Sequence, residues 1–234
     1  MPDIFHHSLA GYCLVLIVGL CCGSFASALA YRIPRGLPWI FDFSSSAKNR
    51  TCRSACPSCA AVLSPVDLVP LLSWLCSRGR CRHCNTPISI RYPLIEVTTA
   101  VAMLLQFYAW GWGLPAIPVL LAVPFMVAAF LIDWEHMILP DELNVVMTLL
   151  GALFVACRVY TGQAGMLDPV FGAFLLTALF RVVSVCLSKW KGRAALGLGD
   201  IKFLPAAGLF IGVSSIPSYL AVSGALGIAT AAIM

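Results

Sequence analysis

The sequence is short of charge. Of its 234 residues only 11% are Asp, Glu, Lys or Arg, while 60% are hydrophobic. Soluble globular domains carry about a quarter charged residues. Composition therefore excludes that class and points to an integral membrane protein. Other absences narrow the chemistry. The opening MPDIFHHSLA has no basic region, and the apolar run after it is long enough to span, so it is not read as a cleavable signal. There is no Gly-x-Ser-x-Gly, no His-Glu-x-x-His and no phosphate-binding loop. Serine-hydrolase, zincin and nucleotide-hydrolase mechanisms lose their usual signatures. No internal repeat or low-complexity segment is present.

The charge that remains is unevenly placed. Nine of the 15 Lys/Arg lie between Arg32 and Arg91, a segment that holds only two acids, Asp42 and Asp67. A basic loop beside a span stays in the cytoplasm. No aromatic-interleaved basic patch accompanies it, so nucleic acid is not expected as a partner. Anionic lipid is the expected partner for these cations.

Hydropathy divides the chain at a span length of about 20 residues. The first span runs from about Leu9 to Ala30 and starts outside. The next are expected near Pro93 to Trp110, Ile117 to Ile132, Asp141 to Tyr160 and Leu167 to Leu187. A sixth starts near Ile201, and a last apolar stretch covers about Ile216 to Met234. A second basic cluster, Lys189, Lys191, Arg193 and Lys202, again falls inside. The expected architecture is an all-α polytopic membrane protein with six to seven transmembrane helices and a small cytoplasmic zinc-binding loop domain. Its divisions are residues 1–30 (first transmembrane helix), 31–91 (Cys-rich cytoplasmic domain) and 92–234 (transmembrane core).

Eleven cysteines form two sets. Cys13, Cys21, Cys22, Cys157 and Cys186 lie in apolar spans and read as small core hydrophobes. In the basic loop, CPSC (Cys56, Cys59) and CRHC (Cys81, Cys84) are separated by 21 residues. Two such pairs suit one tetrahedral Zn²⁺, and a reducing cytoplasm disfavours disulfides. Four protein ligands leave no open position, so the metal is structural. Cys52 and Cys76 are spare, and His83 is a substitute ligand. Because the loop has few large apolar residues, metal supplies much of its folding energy.

Carboxylates gather at one membrane edge, in FLIDWEHMILPDELN. Asp133 directly follows an apolar run, and its bland reading is a span-end charge. Asp141 follows Pro140 and reads as a helix cap. Glu135, His136 and Glu142 read as solvated interface residues. Asp200 ends GLGD, where Gly197 and Gly199 remove side chains so that a peptide backbone can come close. Its bland reading is a cap or a salt bridge to Lys202. Span counting puts Asp133 and Asp200, 67 residues apart, on one membrane face. Two carboxylates in contact cannot both ionise comfortably. The ionised one draws a proton from water and the protonated one polarises a carbonyl, which is aspartic-peptidase chemistry.

These motifs together resemble the type IV prepilin peptidase/N-methyltransferase family, membrane aspartic peptidases of the Gly-x-Gly-Asp class. GSFASALAYRIPRG, CPSC, VPLLSWLCSRGRCRHCNTPISIRYPLIE, IDWEHMILPDELN and GLGDIKFL match in the family's order over nearly the whole chain. The resemblance implies Asp133 and Asp200 as the catalytic pair, with Asp141 a motif residue outside it. It implies Cys56, Cys59, Cys81 and Cys84 as zinc ligands. The implied substrate is a prepilin of a type IV pilus or a pseudopilin of type II secretion. Its basic leader is cut after a glycine at the cytoplasmic face of the bacterial inner membrane, with the enzyme's N-terminus periplasmic. The new N-terminus is then methylated from S-adenosylmethionine, for which no pocket is recognisable. Full-length relatives are expected to continue beyond ALGIATAAIM with a further span, to eight. A non-enzymatic reading also exists: a membrane assembly or transport protein with a zinc-stabilised module, its aspartates ion-path or structural groups.

Overall fold

A computed structural model describes residues 8–39, 54–163, 165–192 and 197–233. Cys52, Lys48, Arg50, Arg53, Asp42 and Arg193 lie outside the described residues. Hydrocarbon offers backbone groups no hydrogen-bond partner, so an apolar chain satisfies them within helices. Eight helices result among the described residues: α1 (Leu9–Arg32), α2 (Leu72–Cys76), α3 (Arg91–Trp110), α4 (Ala116–His136), α5 (Asp141–Tyr160), α6 (Leu167–Lys191), α7 (Leu198–Ile211) and α8 (Ile216–Ile233). The only β pairing described is two isolated bridges in the Cys-rich loop.

All seven expected apolar segments are helical, but their lengths differ. Helices α1, α3, α4, α5 and α6 are long and apolar enough to cross a membrane. Helix α7 has 14 residues. At 1.5 Å per residue it reaches about 21 Å, short of a hydrocarbon core of about 30 Å. The apolar part of α8, Ile216–Thr230, is likewise short. The protein is a multi-pass, all-helical membrane protein with five full-length span candidates and two shorter apolar helices. Large apolar side chains such as Ile17, Leu105, Phe130 and Phe174 are exposed along the spans, as lipid-facing positions should be.

The chain forms two compact units. The first holds residues 1–112 and 120–138, the second 113–119 and 139–234. In the first, α1 lies along α3. Its start is fixed by Ser8, whose Oγ accepts the Gly11 N–H at 3.1 Å. The stripe Gly11, Val15, Gly19, Gly23 and Ala26 is buried. A Cβ on Gly19 would stand 2.7 Å from the Ala100 Cα, and one on Gly23 would strike the Glu96 backbone. This is the small-xxx-small packing that substitutes for hydrophobic association in lipid. Val15, Met103 and Phe107 form the core, with Tyr12 edge-on to Phe107 at 5.0 Å.

In the second unit α7 packs against both α5 and α6. The α6–α7 crossing is again made by glycine: a Cβ on Gly172 would lie 2.8 Å from the Gly212 carbonyl carbon. Leu176, Leu204 and Ile216 form the core there, and Phe154 meets Phe210 at 5.4 Å.

Overfilling a close-packed contact costs about 1–3 kcal/mol. Gly19→Val should therefore lower the thermal midpoint of the detergent-purified protein. Gly224→Val, where an added Cβ meets nothing within 4 Å, should leave it unchanged. Equal midpoints would show that the α1–α3 contact is not tight.

Candidate metal centre and carboxylates

The Cys-rich loop is built from two turns of one design. In the first, the Cys56 N–H donates to the Ala61 carbonyl at 3.0 Å and the Ala60 N–H to the Cys56 carbonyl at 2.9 Å. In the second, Cys81 donates to Thr86 and Asn85 to Cys81, both at 2.9 Å. The fifth residue of each turn is left-handed: Ala60 at φ 56° and Asn85 at φ 59°. Asn tolerates that conformation and Ala does not readily. Bridges Ala55–Val62 and Arg80–Pro87 close the two turns at equivalent places.

The turns bring Cys56, Cys59, Cys81 and Cys84 together, with all four sulfurs within 4.8 Å of one another. Cys56 Sγ and Cys84 Sγ are 3.9 Å apart. Four sulfurs at about 2.3 Å from Zn²⁺ lie about 3.8 Å apart. The donor set thus fits a tetrahedral thiophilic metal with small contraction. The Thr86 hydroxyl and backbone N–H pull the Cys84 thiol down to about 6. Backbone N–H groups of Cys59 and Ser58 lower Cys56. Cys59 moves oppositely, to about 11: lowering by the Ala61 N–H is outweighed by desolvation and by the Cys84 and Cys56 sulfurs. Without a cation the sulfurs hold protons unequally; a bound Zn²⁺ takes all four as thiolates. His83 and Cys76 are exposed and outside the cluster. Cys13, Cys21 and Cys186, expected in the core, are exposed on their helices; Cys157 is buried.

Several contacts fix this loop. The Trp74 Nε1–H donates to the Ile88 carbonyl at 3.1 Å. Gly79, at φ +68°, lies where a Cβ would be 2.9 Å from the Trp74 ring. Asp67 accepts from the Ser64 hydroxyl at 2.6 Å and pairs with Arg82 at 3.2 Å. The Ser64 hydroxyl above all, then its backbone N–H and the Arg82 charge, hold Asp67 below the usual carboxylate range. The Leu71 N–H, on a residue at φ 60°, donates to Glu96 Oε2 at 2.7 Å. Glu96 is 8% exposed on α3. It anchors the loop to the span, a role its sequence reading did not assign. The available signal was an acid inside the apolar run LIEVTTAVAMLL.

The edge carboxylates separate by partner. Helix α4 runs a turn beyond the expected end at Ile132, so Asp133 lies on the helix and is exposed. Glu135, expected to be solvated, is ion-paired with Arg91. Asp141 opens α5, as expected, but α5 has no side-chain cap bond. Instead both Asp141 oxygens accept from Lys202 Nζ at 2.7 Å. The bland reading of Asp200 paired it with Lys202, whose ion pair is with Asp141. Asp200 is in the first turn of α7 and lines a cavity of about 240 Å³ with Leu139, Phe180, Phe203, Tyr219 and Ser223. A Cβ on Gly197 would lie 3.0 Å from Asp200 Oδ2, and one on Gly199 3.1 Å from the Leu139 Cβ. The missing side chain at Gly197 leaves space beside this carboxylate, and the one at Gly199 leaves space beside Leu139. Asp133 belongs to the first unit and Asp200 to the second.

Metal analysis of purified protein should give about one Zn²⁺ per chain. Cys56→Ser or Cys81→Ser should lower that value and loosen the loop, read as faster proteolysis. A fully folded loop without metal would overturn the assignment.

Two family profiles match. The Bacterial Peptidase A24 N-terminal domain covers residues 17–110, and the Type IV leader peptidase family covers 120–232. The prepilin leader peptidase/N-methyltransferase of Neisseria gonorrhoeae is 30% identical over 94% of this chain and 81% of that protein. That of Aeromonas hydrophila is 33% identical over 92% and 78%. A type 4 prepilin-like proteins leader peptide-processing enzyme of Escherichia coli O78:H11 is 33% identical over 94% and 84%. No solved structure matches the chain significantly. With both halves matched in order and relatives aligned along nearly its full length, the chain belongs to the type IV leader peptidase family.

Proposed function

We propose that this protein is a prepilin leader peptidase and N-methyltransferase of the bacterial inner membrane. The observation that carries it is similarity to enzymes bearing both names over 94% of the chain. The substrate is a prepilin or pseudopilin, cut after its basic leader at the cytoplasmic face. The N-terminus of the enzyme is periplasmic on this reading, and residues 31–91 form a cytoplasmic domain held by structural Zn²⁺. Anionic lipid faces the basic loop. S-adenosylmethionine supplies the methyl group when bound. No observation specifically favours the non-enzymatic alternative.

We assign cleavage to Asp133 and Asp200. As a pair they share one proton. The ionised carboxylate takes a proton from water, whose oxygen attacks the scissile carbonyl. The protonated one donates to the carbonyl oxygen, giving a tetrahedral diol. Collapse breaks the C–N bond: one diol hydroxyl returns its proton to the second carboxylate as the carbonyl re-forms, and the amine leaves with the proton first taken from water. Gly197 supports this role by leaving room beside Asp200, and Gly199 by leaving room beside Leu139, which lines the same cavity. Asp141 and Lys202 support it differently, tying the starts of α5 and α7 together.

Proton transfer by a placed side chain contributes about 10²–10⁴-fold. Asp133→Asn and Asp200→Asn should each reduce prepilin cutting by at least about 10²-fold. Mass analysis of the product should find a methylated N-terminus only where cutting occurs. Near-normal cleavage by either variant would remove the dyad.

A further inference from the structure

The first unit contains a larger cavity, of about 350 Å³, where the basic end of α1 meets the Cys-rich loop. It is lined by Ser24, Phe25, Ala28, Arg32, Trp39 and Ser54 among others. It is separate from the Asp200 cavity, which belongs to the second unit. We propose that this cavity is the site for S-adenosylmethionine. The assignment rests on the methyltransferase half of the function proposed for the chain, and it adds the residues that hold the donor.

The lining matches the donor part by part. A purine needs aromatic faces, and two rings are offered. Phe25 and Trp39 are both held edge-on by Phe125 of α4, at 5.9 and 6.3 Å between centroids. That contact fixes their orientation without using polar groups. A sulfonium cation is also favoured beside such rings. The donor's carboxylate needs a planar cation, and Arg32, which also donates to the Pro38 carbonyl at 3.4 Å, keeps further N–H groups in its fork for one. Its ribose hydroxyls need small polar partners, and the hydroxyls of Ser24 and Ser54 line the same space. The volume lies at the lower end of the range for small-molecule sites, about 300–1,000 Å³.

The competing occupant is a lipid phosphate, since Arg and Trp at a span end often hold headgroups. The lining disfavours it. A phosphate collects several donors, and among the described residues Arg32 is the one cation that lines the cavity. Arg35, the other basic residue at this end of α1, is directed elsewhere: it donates to the Tyr31 carbonyl at 2.8 Å and stacks on the Tyr31 ring at 4.0 Å. Two aromatic rings and two serines suit a nucleoside better than a headgroup.

The test is calorimetric titration of the full chain in detergent with S-adenosylhomocysteine. Arg32→Gln, Trp39→Leu and the cavity-filling Ala28→Phe should each weaken binding tenfold or more, with zinc content and thermal midpoint unchanged. Photocrosslinking of labelled S-adenosylmethionine to the wild-type chain should put the adduct on the peptide around Phe25 or Trp39. It reads the site even where a variant folds poorly. Wild-type protein that cuts prepilin but binds no S-adenosylhomocysteine overturns the site together with the methyltransferase reading. Wild-type binding that survives all three substitutions, or an adduct outside the first unit, overturns the site alone. If Arg32→Gln strips co-purified phosphatidylglycerol and leaves S-adenosylhomocysteine affinity intact, the cavity is a headgroup site and the proposal fails.

Discussion

Everything in this chain follows from a solvent that cannot hydrogen-bond. In hydrocarbon a free N–H or carbonyl costs several kcal/mol, so each apolar run folds into a helix regardless of its local propensities. The same solvent removes the usual reason for helices to associate, since a lipid tail is as apolar as leucine. Packing must then come from close backbone approach. The two units solve this alike: Gly19 and Gly23 bring α1 onto α3, and Gly172 and Gly208 bring α6 onto α7. What lipid refuses to solvate collects at the helix ends, and that is where the chemistry has to be.

The Cys-rich loop obeys the opposite rule. Its described residues hold none of the five full-length span candidates, and its buried apolar side chains are those of Cys56 and Cys81. Its order comes from directional contacts: two hydrogen-bonded turns, a Trp74–Ile88 bond, the Ser64–Asp67–Arg82 group and four converging thiols. Glu96 joins this loop to helix α3. A carboxylate 8% exposed on a span is expensive unless satisfied, and the Leu71 N–H it accepts belongs to the loop. The cost of burying the acid is offset only when the loop docks, so Glu96 makes docking specific.

What the sequence disclosed was what is local. Cysteine pairs two residues apart announce a turn, and hydropathy over twenty residues announces a span. The start of α5 is legible because Pro140 cannot continue a helix and two acids follow it. Partners distant in sequence were not legible. Glu135 read as solvated because Arg91 lies 44 positions away. Helix ends inside apolar runs were hidden too. Hydropathy continues smoothly where Gly212, at φ +69°, stops α7 after 14 residues. The end of α4 errs in the other direction, since backbone bonding carries the helix through Asp133 until Met137 turns left-handed at φ 54°.

The pairing of Lys202 shows why sequence proximity misleads on a helix. Asp200 and Lys202 are two residues apart, and residues at that spacing point to different sides. Lys202 therefore reaches α5 and takes both oxygens of Asp141. The same geometry separates Asp133 from Glu135 on α4. Glu135 turns to Arg91, and no ion pair among the described residues involves Asp133. This sorts the acids by the partners that hold them. A carboxylate gripped at both oxygens by an ammonium is poorly placed to take a proton from water, because doing so breaks the pair. Asp141 is thereby suited to holding α5 against α7 and unsuited to general base work. Asp133 is exposed and Asp200 lines a cavity, and this difference from Asp141 is why we propose them for cleavage.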